Sequence, residues 1–462
     1  GDSVGIIGPS GSGKTTILDI LLGLIQVDKG RVLFNDIDLI FISKQSLNKK
    51  IIFKTLKKIK NLNKLKLFQK SNIKINYQFG PVKYNTKFND IVFHCMFYDK
   101  NSHINHVIDS PFTCYDWERT EINLKKKISE IFPVRTLMLS DFFKSNRNIN
   151  QFIENLKQKK ITCSKFIFRK DKIELIKFNK KFDKKNIYFF SRSVVFHTIN
   201  NFLKYHYGKN KKHNLREINI FIKKNNLMKD INLLNYNFSV NLKKIIFETV
   251  SFLKKMKKYL NDYKNDYKKI IILRHFKTKY NKNIFIGQKL NPNVLEFKKN
   301  LLNKPQNKIA IYSSPSKRTI QTIKFLYPNH RIIIDQNLNE IDYGRVEGLD
   351  INSLKIKFPI LYKKMINKKF FSYPDGESYI DLEKRIKIFF RKIITTKPKL
   401  NVVCTHNNFI RILIGSLFFV HKKENYKITV PYAKKIEFLV KNNKINPNFD
   451  RRFLYKFFKK II

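Results

Sequence analysis

An apolar run, Ile270-Ile271-Ile272-Leu273, ends on the pair Arg274-His275, and further polar phrases follow it in a fixed order. They are Ser313-Ser314-Pro315-Ser316-Lys317-Arg318, Asn339-Glu340-Ile341-Asp342-Tyr343-Gly344-Arg345-Val346-Glu347-Gly348, Pro374-Asp375-Gly376-Glu377-Ser378 and Val403-Cys404-Thr405-His406. From Lys269 onward the pattern predicts strand, loop, helix, strand, helix, strand. Strands are expected at Ile270 to Leu273, Ile309 to Tyr312, Ile332 to Asp335, Asn401 to Thr405 and Ile436 to Val440, with helices at Ser316 to Phe325 and Ser378 to Ile394. Such alternation predicts an α/β fold with a mostly parallel sheet flanked by helices.

The chain has 462 residues, enough for several domains. Its 42% hydrophobic and 14% aromatic content supports globular structure. A formal net charge of +59 would ordinarily point to a polyanion partner. Arg, however, is a minority of the 94 basic residues, and Lys is spread along the chain together with Asn, Ile, Phe and Tyr, as an AT-rich coding sequence produces. A nucleic-acid binder concentrates its charge, favours Arg for bidentate contacts and exposes stacking aromatics. Nucleic acid is therefore not the expected partner. Cys95, Cys114, Cys163 and Cys404 show neither zinc spacing nor a disulfide framework, which fits reduced thiols in a cytoplasmic protein. The densest apolar run, Phe409 to Val420, contains Arg411 and is too short to span a membrane.

Five segments are expected. Residues 1–40 form a truncated P-loop unit of strand, loop and helix, with Arg31 to Phe34 extended, and residues 41–70 form a basic linker or helix. Residues 71–262 form an unassigned α/β block. It has β-like runs such as Ile91 to Phe97 and Ile187 to Phe190, a helical stretch at Ile149 to Lys157, and a long basic helix over Val240 to Lys269. Residues 266–448 form the last domain, and residues 449–462 a basic, peripheral tail.

Near the N-terminus, Gly8-Pro9-Ser10-Gly11-Ser12-Gly13-Lys14-Thr15-Thr16 contains a complete GxxxxGK[ST] phosphate loop. Gly8, Ser10, Gly11 and Gly13 let backbone N–H groups curl around phosphates, Lys14 reaches the terminal phosphates, and Thr15, followed by Thr16, brings a hydroxyl to magnesium at a helix start. The surrounding stretch through Leu39 resembles the start of an ABC transporter ATP-binding domain. That likeness implies ATP and Mg as ligands. It implies a membrane transporter partner only if the segment is a functioning remnant. No LSGGQ signature or glutamine loop follows, and Thr136 to Asp141 is a poor substitute for a Walker B strand, so ATP hydrolysis by residues 1–40 alone is not expected. Beginning at Gly1 in mid-motif, the chain reads as a fragment. It is either a rearranged transporter gene joined to another frame or a P-loop module completed by residues 71–262.

Hydrolysing a phosphate monoester without metal takes a nucleophile, cations around the phosphoryl oxygens and an acid for the leaving group. The C-terminal phrases together resemble the histidine phosphatase (phosphoglycerate mutase-like) superfamily over about residues 266–440. The resemblance implies that His275 is the nucleophile, that Arg274 and Arg318 bind phosphate, that His406 donates to the phosphoryl oxygens and that Glu340 is the proton donor. Asn281 matches a residue near the phosphate. It also implies a small phosphorylated metabolite as substrate, no cofactor, and a phosphohistidine intermediate. Hydrolysis is expected rather than mutase chemistry, because the short Glu340 to Pro374 spacing leaves little room for a capping insertion.

Two departures stand out. Phe276 replaces the usual Gly after the nucleophile and is followed by Lys277 where an acid is common, and Asn407 replaces Gly after the second histidine. Gly is favoured where backbone passes close to phosphate, so Phe276 is expected to narrow the pocket or to wall it. The alternative reading of the chain is an ATP-binding subunit fragment of an ABC-type transporter.

Overall fold

The computed structural model describes residues 3–7, 36–43, 46, 48–64, 69, 72–76, 78–79, 90–109, 137–146, 148–169, 172–207, 213–228, 241–280, 284–297, 309–367, 371–418, 420–441 and 443–458. The phosphate loop, the helix expected after it, the extended stretch Arg31 to Phe34 and Asn281 lie outside these residues. The chain divides into two units, residues 1–137 with 142–260, and residues 138–141 with 261–462.

In the N-terminal unit, β1 (Ser3–Ile7) pairs antiparallel with β2 (Asp36–Ser43). After α1 (Lys49–Lys60) come β3 (Asn72–Asn76), β4 (Gln78–Phe79) and β5 (Asp90–Asp99), and β5 lies parallel to both β2 and β3. Helix α1 buries Ile52, Leu56 and Ile59, one stripe at helical spacing, and Asn48 caps its start by accepting from the Ile51 amide at 2.9 Å. Next come α2 (Lys100–Asp109), α3 (Leu139–Ser145), whose residues 139–141 belong to the C-terminal unit, α4 (Ile149–Gln158) and a hairpin of β6 (Lys160–Arg169) and β7 (Lys172–Lys181), with β4 against β6. Then α5 (Lys184–Tyr207), α6 (Leu215–Lys224) and α7 (Leu242–Asn265) follow.

Two expectations are corrected here. Ile187 to Phe190 is helix, because Ile187, Phe190, Val194, Thr198 and Phe202 recur three or four residues apart and are all buried. The basic helix stops at Asn265 and does not reach Lys269. Lys268 and Lys269 are drawn into a strand, with Lys269 in register with Leu400 on one side and Leu439 on the other.

The C-terminal unit is built on β8 (Lys268–Arg274), β9 (Ile309–Ser313), β10 (Ile332–Ile334), β11 (Leu400–Thr405), β12 (Lys435–Lys441) and β13 (Lys444–Pro447). In space the order is β10-β9-β11-β8-β12-β13, with the first four strands parallel and the last two antiparallel. The helices are α8 (Lys317–Leu326), α9 (Ile351–Lys357), α10 (Pro359–Ile366), α11 (Tyr379–Thr395), α12 (Asn407–Leu417) and α13 (Arg451–Phe458). Strands β8, β9 and β11 are near-continuous apolar runs because both sheet faces are covered. Ile271, Leu273, Ile311, Val402 and Cys404 pack with Ile323 and Tyr327 beside α8, while Tyr312, one residue on from Ile311, meets Phe389 of α11 at 5.8 Å between ring centroids.

Of the region expected as a peripheral tail, the described part packs through Phe449, Arg451 and Phe457. Phe457 is fully buried, and the buried Arg451 guanidinium holds Asp141 through two hydrogen bonds of 2.7 Å. Among the described residues no helix is long and apolar enough to cross a membrane.

Candidate active site

Parallel pairing brings three strand ends together. Thr405 at the end of β11 is in register with Arg274 at the end of β8, and Cys404 with Ser313 at the end of β9. His275, Ser314 and His406 are the next residues along each chain, so the sheet itself gathers them. The His275 and His406 rings lie 5.3 Å apart at 62°, and both residues are buried.

His275 is held in one tautomer. Its Nδ1 lies 2.6 Å from the Phe276 carbonyl oxygen, which only accepts, so Nδ1 carries the proton and Nε2 keeps its lone pair. Burial, then the Arg318 and Arg274 charges, push its pKa well below the usual histidine range, and the ring is neutral. Burial and the same cationic neighbourhood, led by Arg318, do this to His406 as well.

Arg318 lies in the first turn of α8, almost fully buried. Its Nη1 donates to the Leu290 carbonyl at 3.0 Å, its Nη2 to the Gly287 carbonyl at 2.8 Å, and its Nε to His406 Nδ1 at 3.2 Å. The His406 proton therefore sits on Nε2, 2.8 Å from Ser314 Oγ. Arg274 stacks over the Tyr432 ring at 3.7 Å and donates from Nη1 to the Val430 carbonyl at 2.7 Å. Its Nε is buried and finds no acceptor among the described residues. A buried guanidinium, that of Arg318, and a half-buried one, that of Arg274, thus stand beside the two neutral imidazoles, a setting that favours an anion. Ala433, whose amide donates to the Arg274 carbonyl at 2.9 Å, takes a left-handed φ of 49°, a strained conformation for a side-chain-bearing residue.

Glu340 is also buried, with Oε1 accepting from its neighbour's amide, Ile341, at 2.9 Å. The Asn408 amide, in the first turn of α12, donates to both carboxylate oxygens at 3.3 and 3.4 Å. Glu340 thus lies against the helix that begins directly after His406. Gly344 and Gly376 let the two phrases around it touch backbone to backbone. A Cβ on Gly344 would meet the Pro374 carbonyl at 1.9 Å, and one on Gly376 the Asp342 carbonyl at 2.4 Å.

The Phe276 ring packs with Phe297 and Phe325, at 5.7 and 5.9 Å, beside Val294 and Ala433. The residue does not have a positive φ, so the backbone there does not require glycine. Asn407 opens α12, and its Oδ1 is buried without a partner among the described residues.

Sequence reasoning missed several contributors. Ser314, Glu347 and Glu377 stood inside the quoted phrases without a role. Glu347 accepts the amides of Gly287, Gln288 and Lys289 at 3.0, 3.2 and 3.1 Å, and so holds the loop whose carbonyls fix Arg318. Tyr432 and the Val430 carbonyl had no sequence signal at all.

Comparison with known proteins agrees with this division. Residues 270–446 match the family model of the histidine phosphatase superfamily (branch 1), and residues 1–173 that of the ABC transporter. Among curated proteins, the "Fatty acid ABC transporter ATP-binding/permease protein" of Mycobacterium bovis is 39% identical over 51 residues, 11% of this chain and 8% of that protein. The "Sulfate/thiosulfate import ATP-binding protein CysA" of Xylella fastidiosa is 47% identical over 53 residues, 12% of this chain and 15% of its own length. The chain thus spans only a small part of these relatives. Among solved structures, the alpha-ribazole phosphatase of Shigella flexneri aligns at 14% identity and a TM-score of 0.34 over 39% of this chain and 94% of that one. A mycobacterial glucosyl-3-phosphoglycerate phosphatase aligns at 18% identity and a TM-score of 0.32, over 37% and 90% respectively. The chain is thus similar to the histidine phosphatase superfamily over residues 270–446 and to the ABC transporter family over residues 1–173, each match covering less than half of it.

Proposed function

We propose that the C-terminal unit is a metal-independent phosphomonoesterase acting on a small phosphorylated metabolite through a phosphohistidine. The observation that carries this reading is the buried Arg274 Nε, without an acceptor among the described residues, beside a neutral His275 whose Nε2 lone pair is left free by the Phe276 carbonyl. In the first step His275 Nε2 attacks phosphorus, the ester P–O bond breaks, and the Glu340 carboxyl passes its proton to the departing alkoxide. In the second, water attacks the phosphohistidine, its proton goes to the Glu340 carboxylate, and the P–N bond breaks to release inorganic phosphate and neutral His275.

Arg274 and Arg318 balance the charge that builds on the phosphoryl oxygens. A bound dianion also gives Arg318 Nε a better acceptor than His406 Nδ1, which frees that nitrogen to take a proton and donate. His275→Ala is expected to lower turnover of an aryl phosphate by about 10³-fold or more, and the wild-type protein to trap an acid-labile phosphoryl group on His275. Unchanged turnover in that variant would sink the proposal.

A second reading concerns residues 1–173, whose match to the ABC transporter model extends well past the phosphate loop. It takes Lys14 and Thr15 to bind the phosphates and magnesium of ATP. Lys14→Ala is then expected to lose nucleotide binding in equilibrium dialysis with magnesium and ATP, without altering phosphatase turnover. Equal ATP retention by wild type and variant argues against it.

A further inference from the structure

The segment Asn337 to Asp342 carries the proposed acid, Glu340, and runs from the short turn Gln336–Leu338 through irregular backbone toward the turn Gly344–Val346. Backbone of this kind has carbonyls that no helix or sheet satisfies. Here side chains take them in sequence. Thr405 Oγ1 donates to the Leu338 carbonyl at 2.7 Å, and Gln288 Nε2 to that of Glu340 at 3.0 Å. The remaining bonds come from one residue, Arg385 of α11. Its Nη1 donates to the Asn337 and Asn339 carbonyls at 2.9 and 3.2 Å, and its Nη2 to the Glu340 carbonyl at 3.3 Å.

The other edge of the same guanidinium grips Glu377 in a fork. Nε and Nη2 each lie 2.6 Å from a carboxylate oxygen. All five N–H donors of Arg385 are therefore used, three on consecutive-segment carbonyls and two on one carboxylate. Glu377 extends the hold past Glu340, since its Oε2 accepts from the Asp342 amide and its own amide donates to the Asp342 carbonyl, both at 2.9 Å. Only a planar fork meets this set of acceptors. Lysine, a point charge with three donors, does not.

We infer that Arg385, oriented by Glu377, is a positioning residue that fixes the Glu340 carboxyl at the leaving-group oxygen. Neither side chain is among the groups proposed to touch phosphate, so the role is separable from phosphate binding. The inference rests on the phosphatase reading, in which Glu340 supplies a proton. It predicts a selective defect. Leaving-group protonation matters greatly for an alkyl phosphate, whose alkoxide is a poor leaving group, and little for p-nitrophenyl phosphate, whose phenolate leaves readily.

The experiment compares kcat/KM for an alkyl phosphate and for p-nitrophenyl phosphate in the full chain, with Arg385→Gln, Glu377→Gln and Glu340→Gln. Arg385→Gln is expected to lose about 100-fold on the alkyl ester, the scale of a 1 Å misplacement, and at most about threefold on the aryl ester. Glu377→Gln should show the same selectivity in weaker form. The double variant Glu340→Gln with Arg385→Gln should lose no more on the alkyl ester than Glu340→Gln alone. Equal loss on both esters, or additive losses in the double variant, overturns the positioning role and leaves the phosphatase reading intact. Wild-type protein that turns over neither ester, or His275→Ala that turns over both, overturns the two together. Should Arg385→Gln melt below the assay temperature, Arg385→Lys keeps the charge beside Glu377 and loses the fork. It is expected to show an intermediate, still leaving-group-selective loss, and unselective loss counts against the inference.

Discussion

Phe276 keeps its ring in an aromatic cluster and presents its backbone to His275. The carbonyl accepts from His275 Nδ1 at 2.6 Å, and the amide donates to Thr322 Oγ1 at 3.0 Å, so both main-chain groups are engaged whatever side chain is attached. The ring belongs to a cluster with Phe297 and Phe325, themselves stacked at 4.6 Å between centroids. Phe276→Gly is therefore expected to leave kcat/KM for an aryl phosphate within a few-fold of wild type. It is also expected to destabilise the C-terminal unit by about 3–5 kcal/mol, because a buried aromatic leaves a cavity. Urea unfolding checks the second half and steady-state kinetics the first. A tenfold gain in turnover with unchanged stability would mean that the ring crowds the pocket after all.

At the scale of elements, the sequence was legible where one element carries both pattern and chemistry. The Ile270 to Leu273 and Val402 to Thr405 runs announce strands, and the residues just past them, His275 and His406, occupy adjacent strand ends because β8 and β11 pair in parallel. The Asp381 and Ser378 side chains cap α11 reciprocally, which explains why the expected helix start at Ser378 and the observed start at Tyr379 nearly coincide. Reading failed where a local composition spoke for the wrong period, as in Ile187 to Phe190, whose aromatic and β-branched cluster suggests a strand until the burial of Val194, Thr198 and Phe202 is counted. It also failed where backbone does the work. Arg318 is fixed by the carbonyls of Gly287 and Leu290, and Arg274 by that of Val430, and a carbonyl is present at every position, so no letter marks it. Arg385 was hidden differently, as one basic residue on an amphipathic helix in a chain full of lysine.

At the scale of the whole molecule, the excess of positive charge does not decide the site's proton balance; burial does. His275 and His406 are both neutral in the folded C-terminal unit because desolvation, and then the neighbouring guanidiniums, disfavour their charged forms. In the unfolded chain each titrates near 6.5. Above that value folded and unfolded states hold the same number of protons at these two sites, and pH leaves their contribution unchanged. Below it the unfolded state takes up protons that the folded state refuses, so stability falls as pH drops from about 6.5 toward the lowered folded values. Each histidine steepens the decline by about 1.4 kcal/mol per pH unit at most. Urea midpoints of the full chain, read by pulsed hydrogen exchange at residues 268–274 and 400–405, are expected to fall between pH 7 and pH 5, and to fall less steeply in His406→Asn. Saturating vanadate should flatten the same slope, since an oxyanion between the two arginines favours the charged imidazole that burial otherwise opposes. A slope that neither the variant nor the oxyanion alters would show that these histidines are not the buried neutral groups their surroundings require.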